Sequence, residues 1–418
     1  MKKVDPCEKL PKKLLYETFQ PASNQDLSKL CQTSKKCNQR LCKDENFWKY
    51  KIQVEFSKYR DIKPHALTYI EFYKRLVSAG PLYRNKEKLH DRILKVRDYS
   101  DEFYFIDSLG GLYVHGWIVN DSPMYPLFPE NIKNKKSVQE PVKFLDGIQD
   151  IAVATSDSAA LILSLDGKLY GIGEKFDSVE KPKLLVENVR EIFGTEFLPF
   201  FGYITVDNKL YARLENKKFT PIADNVYSGI LFREFNLHRD DVNGILSTLY
   251  FTTLDHVMWS YKPSLVFNRM DNITLGEESF NAGDFEIGRC LIGLLKNVEE
   301  FAITNDYIGI LNKGKFKIIP RNIFEPFSFN RDQEQDPNIP REAYAYRYPK
   351  DIKPPNETYQ NINVKKIMGS NYRISVIDTN NKLYTIDPEN LTLSFIEDDV
   401  QDASPTQGVS DSWIIYKI

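Results

Sequence analysis

A chain of 418 residues with 42% apolar and 27% charged residues has the material for a packed core, and its length suits either one large repeat domain or two ordinary ones. A net charge of -2 excludes a chain that binds polyanions over its whole surface, and no apolar run approaches the roughly 20 residues of a helical membrane span. The positive excess, about seven charges, lies in the first 60 or so residues, and the remainder is acidic. Because those lysines alternate with apolar helix positions, they read as the solvated face of helices and not as an arm for nucleic acid.

The opening MKKVDPCEKLPKK has no apolar core behind its lysines, unlike a secretory signal. Five cysteines, four of them before residue 43, make an odd set that does not read as a disulfide framework. An intracellular, reducing compartment is expected, in which the Asn-x-Thr sites at Asn272 and Asn356 have no role. Cys31, Cys37 and Cys42 lack the C-x2-C pair of a zinc site and read as small core residues.

Residues 4–54 differ in kind from the rest. Pro11 fits the first turn of a helix, and Leu10, Leu14, Leu15 and Phe19 fall at helical spacing behind it. Pro21 ends that helix, and Ser23 or Asn24 caps a second one striped by Leu27, Leu30 and Cys31. Leu41, Phe47 and Trp48 mark a third. Three short helices make a core too small to stand comfortably alone.

LPKKLLYETF followed by QDLSKLCQTSKKCNQRLCKDENFWKYK resembles an F-box. Leu10-Pro11, Leu14-Leu15, Asp26-Leu27, Leu30-Cys31, Asp44 and Phe47-Trp48 occupy the places of that family's pattern, over about a tenth of the chain. The resemblance implies docking on a Skp-type adaptor that tethers the chain to a cullin ubiquitin ligase. Its adaptor-binding residues would be Leu10, Pro11, Leu14, Leu15, Phe19, Leu27, Leu30, Cys31, Leu41 and Trp48. The bland reading of the same leucines is that they pack against the following domain.

Residues 55–79 read as a linker ending in a helix, with Leu67, Ile70, Phe72, Tyr73 and Leu76 mostly on one face. From residue 80 onward the chain repeats itself. Tyr104–Trp117, Leu161–Gly173, Gly202–Leu214, Leu249–Tyr261, Ile308–Ile319 and Ile374–Ile386 each pair a β-rich arm, a turn of Asp, Asn or Gly, and a second arm. Alternating apolar residues around an Asp-Gly or Asn-Asn pair mark hairpins. Upstream strands are expected at Ile148–Ala154, Val189–Phe193, Val298–Ile303 and Val364–Met368. About six copies at intervals of some 40 to 65 residues suit the four-stranded blades of a β-propeller. GPLYR at Gly80–Arg84 looks like a second arm without a first, and Trp413–Tyr416 like a first without a second. Their pairing would close the ring and leave no open edge. The fold expected is mainly β: a seven-bladed propeller, or six blades without that closing pair, over residues 80–418, with a small three-helix module before it.

The unit, an apolar strand, Asp or Asn with Gly or Asn, then Leu-Tyr, resembles the regulator-of-chromosome-condensation repeat. Gly194 and Gly369 match its first glycine, and Trp117, Gly173, Trp259 and Tyr384 fall in or near its last positions. The family's G-Q-L-G is absent throughout, and Thr155 or Ser156 replaces one repeat glycine. An F-box joined to such repeats is similar to proteins of large DNA viruses, which implies a host target.

No nucleophile elbow, Walker loop or dinucleotide fingerprint occurs, and no pair among the five histidines has metal-ligand spacing. His238 with Asp240 and Asp241 reads as surface charge. Long inserts at 119–142, 262–296 and 320–362 are where a rigid ring would carry recognition. The expectation is a non-enzyme without cofactor or metal, recruiting a target protein to a cullin ligase. Guanine-nucleotide exchange or chromatin association is the alternative reading, and a structural role in a virion the third.

Overall fold

The computed structural model describes residues 6–417, apart from short loop segments and longer ones at 235–245, 264–288 and 321–357. Most of the insert at 262–296 and nearly all of that at 320–362 fall outside the described residues, as do Asn272, Asn356 and His238, while Arg289–Leu295 is a strand.

The N-terminal helices begin where side chains can take over the unpaired backbone donors. Ser23 accepts from the Asp26 N–H to start Asn24–Thr33, and Asp44 accepts from Asn46 to start Glu45–Glu55. Pro11 precedes Lys12–Phe19, where its missing N–H costs nothing. Thr68 and Glu71 form a reciprocal capping box at the head of Tyr69–Ser78. Leu41 lies outside the helix that carries Trp48. The chain makes a π-helical turn over Asn38–Cys42, and Asp44 caps a separate helix after it.

One core holds these elements together: Cys7, Leu15, Leu27, Leu41, Phe47, Trp48, Ile52, Phe72 and Leu76 among others. Lys51 is buried within it. Its ammonium donates to the carbonyls of Gln20 and Ala22 and pairs with Glu55, so the backbone freed around Pro21 has a charged partner. The N-terminal cysteines correct the expectation that they do not pair: Cys7 bonds to Cys37, and Cys31 lies against Cys42. Short helical turns bring distant cysteines together, which residue counting alone does not reveal.

The remaining chain is a β-propeller. Its described strands form six sheets, five of four strands and one of seven, each antiparallel and wound in chain order. The large sheet contains β1 (Gly80–Arg84), β2 (Glu87–Tyr99), β3 (Glu102–Asp107), β4 (Leu112–Trp117) and β5 (Ser137–Leu145). The C-terminal strands Val400–Pro405 and Trp413–Lys417 join it at β1, where Leu82 faces Tyr416 and Arg84 faces Ile414. Long β2 serves both sides. Its first half pairs with β1, its second with β3, and Ile93 takes part in both ladders. The expected closing pair forms, yet counted by sheets the ring has six blades, the lower of the two counts, because two blades share β2 in one sheet. The inner-strand segment nevertheless occurs seven times, because the closing sheet holds two of them.

That segment has a constant opening. A buried Ile or Val stands first (Ile93, Ile148, Val189, Val226, Val364, Val400), and the ladder slips by one residue directly after it in all six. Such a bulge turns the following side chains and sharpens the twist. The N–H of five of these first residues, and of Val298 in the corresponding place of its blade, bonds to the preceding blade's hairpin turn: Ile148 to Gly110, Val189 to Gly167, Val226 to Asn208, Val298 to His256, Val364 to Gly314, Val400 to Asn381. All six acceptors have positive φ, a conformation open to Gly and tolerated by Asn and His. The Asp-Gly and Asn-Asn turns therefore do more than reverse the chain, since they also fasten one blade to the next.

The 119–142 insert is anchored on the propeller through its middle. Met124, Phe128 and Ile132 are buried in the core of the blades they cross. The Ser122 hydroxyl and Tyr104 share the buried Glu102 carboxylate.

Candidate protein-interaction surfaces

The expected adaptor-binding residues divide into two sets. Leu15, Leu27, Leu41 and Trp48 are buried in the module's own core, with the Trp48 indole N–H bonded to the Cys42 carbonyl. Leu10, Phe19, Leu30 and Cys31 are half-buried. Pro11 is exposed and Leu14 is 49% exposed, so these two project outward beside half-buried Leu10. Lys12 flanks them. Its ammonium meets the Asp44 carboxylate, which also accepts from Tyr16. Burial pushes the Asp44 carboxyl up, but Lys12 and Tyr16 more than offset it and hold it below its ordinary value.

The module is fixed to the propeller at one blade corner. Arg75 donates to the carbonyls of Ser108 and Asp107 in the β3–β4 turn, and burial draws its guanidinium down to about 10. Arg92 on β2 reaches back to the Leu76 carbonyl and stacks on Phe56. Leu109, at the tip of that turn, packs into the module core. These residues lie outside the sequence's site expectations, and only their position next to the linker helix hinted at them.

A second surface is the centre of the ring, a cavity of about 830 Å³ lined by the inner strands. Two places after the constant Ile or Val the inner strands carry Lys95, Asp150, Glu191, Ser228, Glu300 or Lys366; Glu191, Ser228 and Glu300 line the cavity, and several of the six reach across to the neighbouring blade. Asp150 is wholly buried and meets Lys95 at 2.7 Å and Arg97 at 2.8 Å. Burial alone would raise its carboxyl, but Arg97 and Lys95 outweigh it and hold it low. Glu191 accepts from Ser228 and sits beside Arg190, yet burial prevails there and its carboxyl is raised. Glu300 accepts from the Ile367 N–H. The groups staple blades together, an arrangement legible in sequence only once the first-residue position is known. Among the described residues no group of three or more His, Cys, Asp or Glu side chains has metal-binding geometry, and no helix is long and apolar enough to cross a membrane.

No protein-family model matches the chain, and no curated protein does. Among solved structures it is similar to Prp20p from Saccharomyces cerevisiae, described with its binding to Gsp1p and histones: 13% identity, TM-score 0.48, covering 82% of this chain and 89% of that one. It is also similar to yeast RCC1 (Prp20) bound to Kap60, at 14% identity and TM-score 0.47 over 82% and 86%. Human WBSCR16 matches at 9% identity and TM-score 0.48 over 79% and 88%. With scores below 0.5, the fold described above rests on this chain's own strand order and register.

Proposed function

We propose that this chain is a protein-binding propeller that holds a partner and performs no reaction of its own. The observation that carries the reading is the division of labour between scaffold and surface. The blades' inner charges are spent on one another, while exposed apolar groups remain on the helical module and around the ring. Protein partners are recognised by such rigid, partly apolar surfaces.

Two identities for the partner have separate support. The repeat resemblance favours a Ran-like GTPase or a chromatin protein held by the ring; Prp20p, described as binding Gsp1p and histones, belongs to that class. The F-box resemblance favours a Skp-type adaptor held by Leu10, Pro11 and Leu14, with the ring presenting a target to a cullin ubiquitin ligase. Half-buried Phe19, Leu30 and Cys31 would border that contact. The test is reconstitution by size exclusion with a Skp-type adaptor and, separately, with a Ran-like GTPase, the second accompanied by nucleotide-release kinetics. Leu14→Asp should abolish the adaptor complex without unfolding the module, because the side chain is exposed. An adaptor complex that survives Leu14→Asp rejects the F-box reading. Unchanged nucleotide release at micromolar protein rejects exchange.

A further inference from the structure

The first described element of the chain is a single helical turn, Pro6–Lys9. A helix of this length does not persist unaided, so the turn depends on its ties to the rest of the module. Two of those ties converge from one place. Cys7, fully buried, bonds to fully buried Cys37 across a separation of 30 residues, with Cα atoms 5.1 Å apart, a spacing that a disulfide spans without backbone movement. Arg40, in the π-helical turn that follows Cys37, donates to the carbonyls of Cys7 and Leu10. The Cys37 side of the bond is firm: the Ser34 hydroxyl accepts from the Cys37 N–H, and Leu41 behind it is core. The Cys7 side is weaker, because its neighbours Glu8 and Lys9 are exposed.

The position of this turn gives the bond a consequence. Leu10 and Pro11 follow it directly, and with Leu14 they form the apolar edge that projects from the module. Beyond them, separate contacts hold the helix Lys12–Phe19: Leu15 is core, and Lys12 and Tyr16 both meet Asp44. Opening the Cys7–Cys37 bond therefore frees residues 6–10 and leaves that helix in place. The sequence reading expects a reducing compartment, where a protein disulfide is characteristically transient and sensing.

We propose that Cys7–Cys37 is a thiol-operated latch on this turn, closed by oxidation and opened by a cellular dithiol or by glutathione. Fraying of the turn admits a reductant thiolate to one sulfur. The Cys7–Cys37 bond breaks as a mixed disulfide forms, and the second thiolate of the reductant displaces the remaining cysteine. Two electrons pass from the dithiol, which leaves as a disulfide, and its two protons end on Cys7 and Cys37. The open state loses the seat of Cys7 and the Arg40 bonds to Cys7 and Leu10, and with them the fixed position of Leu10 and Pro11 beside Leu14. The latch goes beyond the reading of the chain as protein-binding and requires no particular partner.

The test uses the full chain, either oxidised with diamide or reduced with dithiothreitol. Peptide mass spectrometry after blocking of free thiols measures the Cys7–Cys37 link, and limited trypsin digestion measures cleavage of the Lys9–Leu10 bond. The oxidised chain should carry the link and resist cleavage. The reduced chain should be cut there about tenfold faster, as loss of a cross-link that holds one turn implies, while hydrogen exchange in Glu45–Glu55 and in the propeller strands stays the same. Cys37→Ser should be cut at the fast rate with or without dithiothreitol, and the Cys31→Ser, Cys42→Ser double variant should keep the wild-type response. Absence of the link in the oxidised chain, equal cleavage of the two forms, a dithiothreitol response that survives Cys37→Ser, or loss of protection in Glu45–Glu55 on reduction overturns the proposal. None of these readouts involves a partner, so the latch and the protein-binding reading can fail separately.

Discussion

Replacing Asp150 with Asn should loosen the joint between the inner half of β2 and the next blade. The substitution keeps the side chain's shape and the acceptor for the Ile151 N–H, but it leaves Lys95 and Arg97 facing a neutral amide. Removing one partner of a fully buried pair costs about 3 to 5 kcal/mol. Here the carboxylate is 1% exposed while the two cations are 38% and 36% exposed. Water can resolvate the cations, so the expected loss is smaller, about 2 kcal/mol. The pH dependence follows from the lowered Asp150 carboxyl. Its stabilisation is present above the ordinary Asp value of 3.8 and fades as pH falls through the lower folded value. Urea midpoints of the two proteins should therefore differ at neutral pH and converge below that value. Hydrogen exchange should show the protection lost in β2 first. Equal midpoints at neutral pH, or a gap that persists unchanged in acid, would refute the argument.

Glu191→Gln should act in the opposite sense. A raised folded value means that ionisation costs stability as pH climbs above the ordinary Glu value of 4.5, so the variant's thermal midpoint should exceed the wild type's at neutral pH and match it in acid. Gly202→Ala puts a methyl 2.0 Å from the Phe193 ring; a loss of about 1 to 3 kcal/mol is expected, and Phe193→Leu in the same chain should recover part of it. Leu15→Asp should unfold the helical module, because that side chain is fully buried, whereas Leu14→Asp should shift the melting curve by no more than about 0.5 kcal/mol. Arg75→Ala should leave both parts folded and free the β3–β4 turn to exchange faster, since it removes bonds to the Ser108 and Asp107 carbonyls.

The hairpins were the most legible part of the chain because period-two alternation and positive-φ turn residues are local signals. All six expected hairpins form antiparallel pairs within the propeller. The blade count was harder. A single uninterrupted strand, β2, serves two ladders, and no turn residue marks the change. His256 took a positive-φ turn position that sequence reasoning gives first to Gly or Asn. The cysteine pairs escaped because they join short helical turns whose approach depends on the whole module. The central charges were invisible for a similar reason: Lys95 and Asp150 lie on different blades, and only the shared bulge puts them at one level. On the helical module, leucine spacing located an apolar stripe but could not divide core Leu15 from exposed Leu14, which are adjacent in sequence and separate in burial.

The most direct test of the account is size exclusion with light scattering on the full chain, mixed in turn with a purified Skp-type adaptor and with a nucleotide-free Ran-like GTPase. A protein-binding propeller of the proposed kind forms a stoichiometric complex with one of the two. A chain that elutes alone from both mixtures, while folded by circular dichroism, contradicts it.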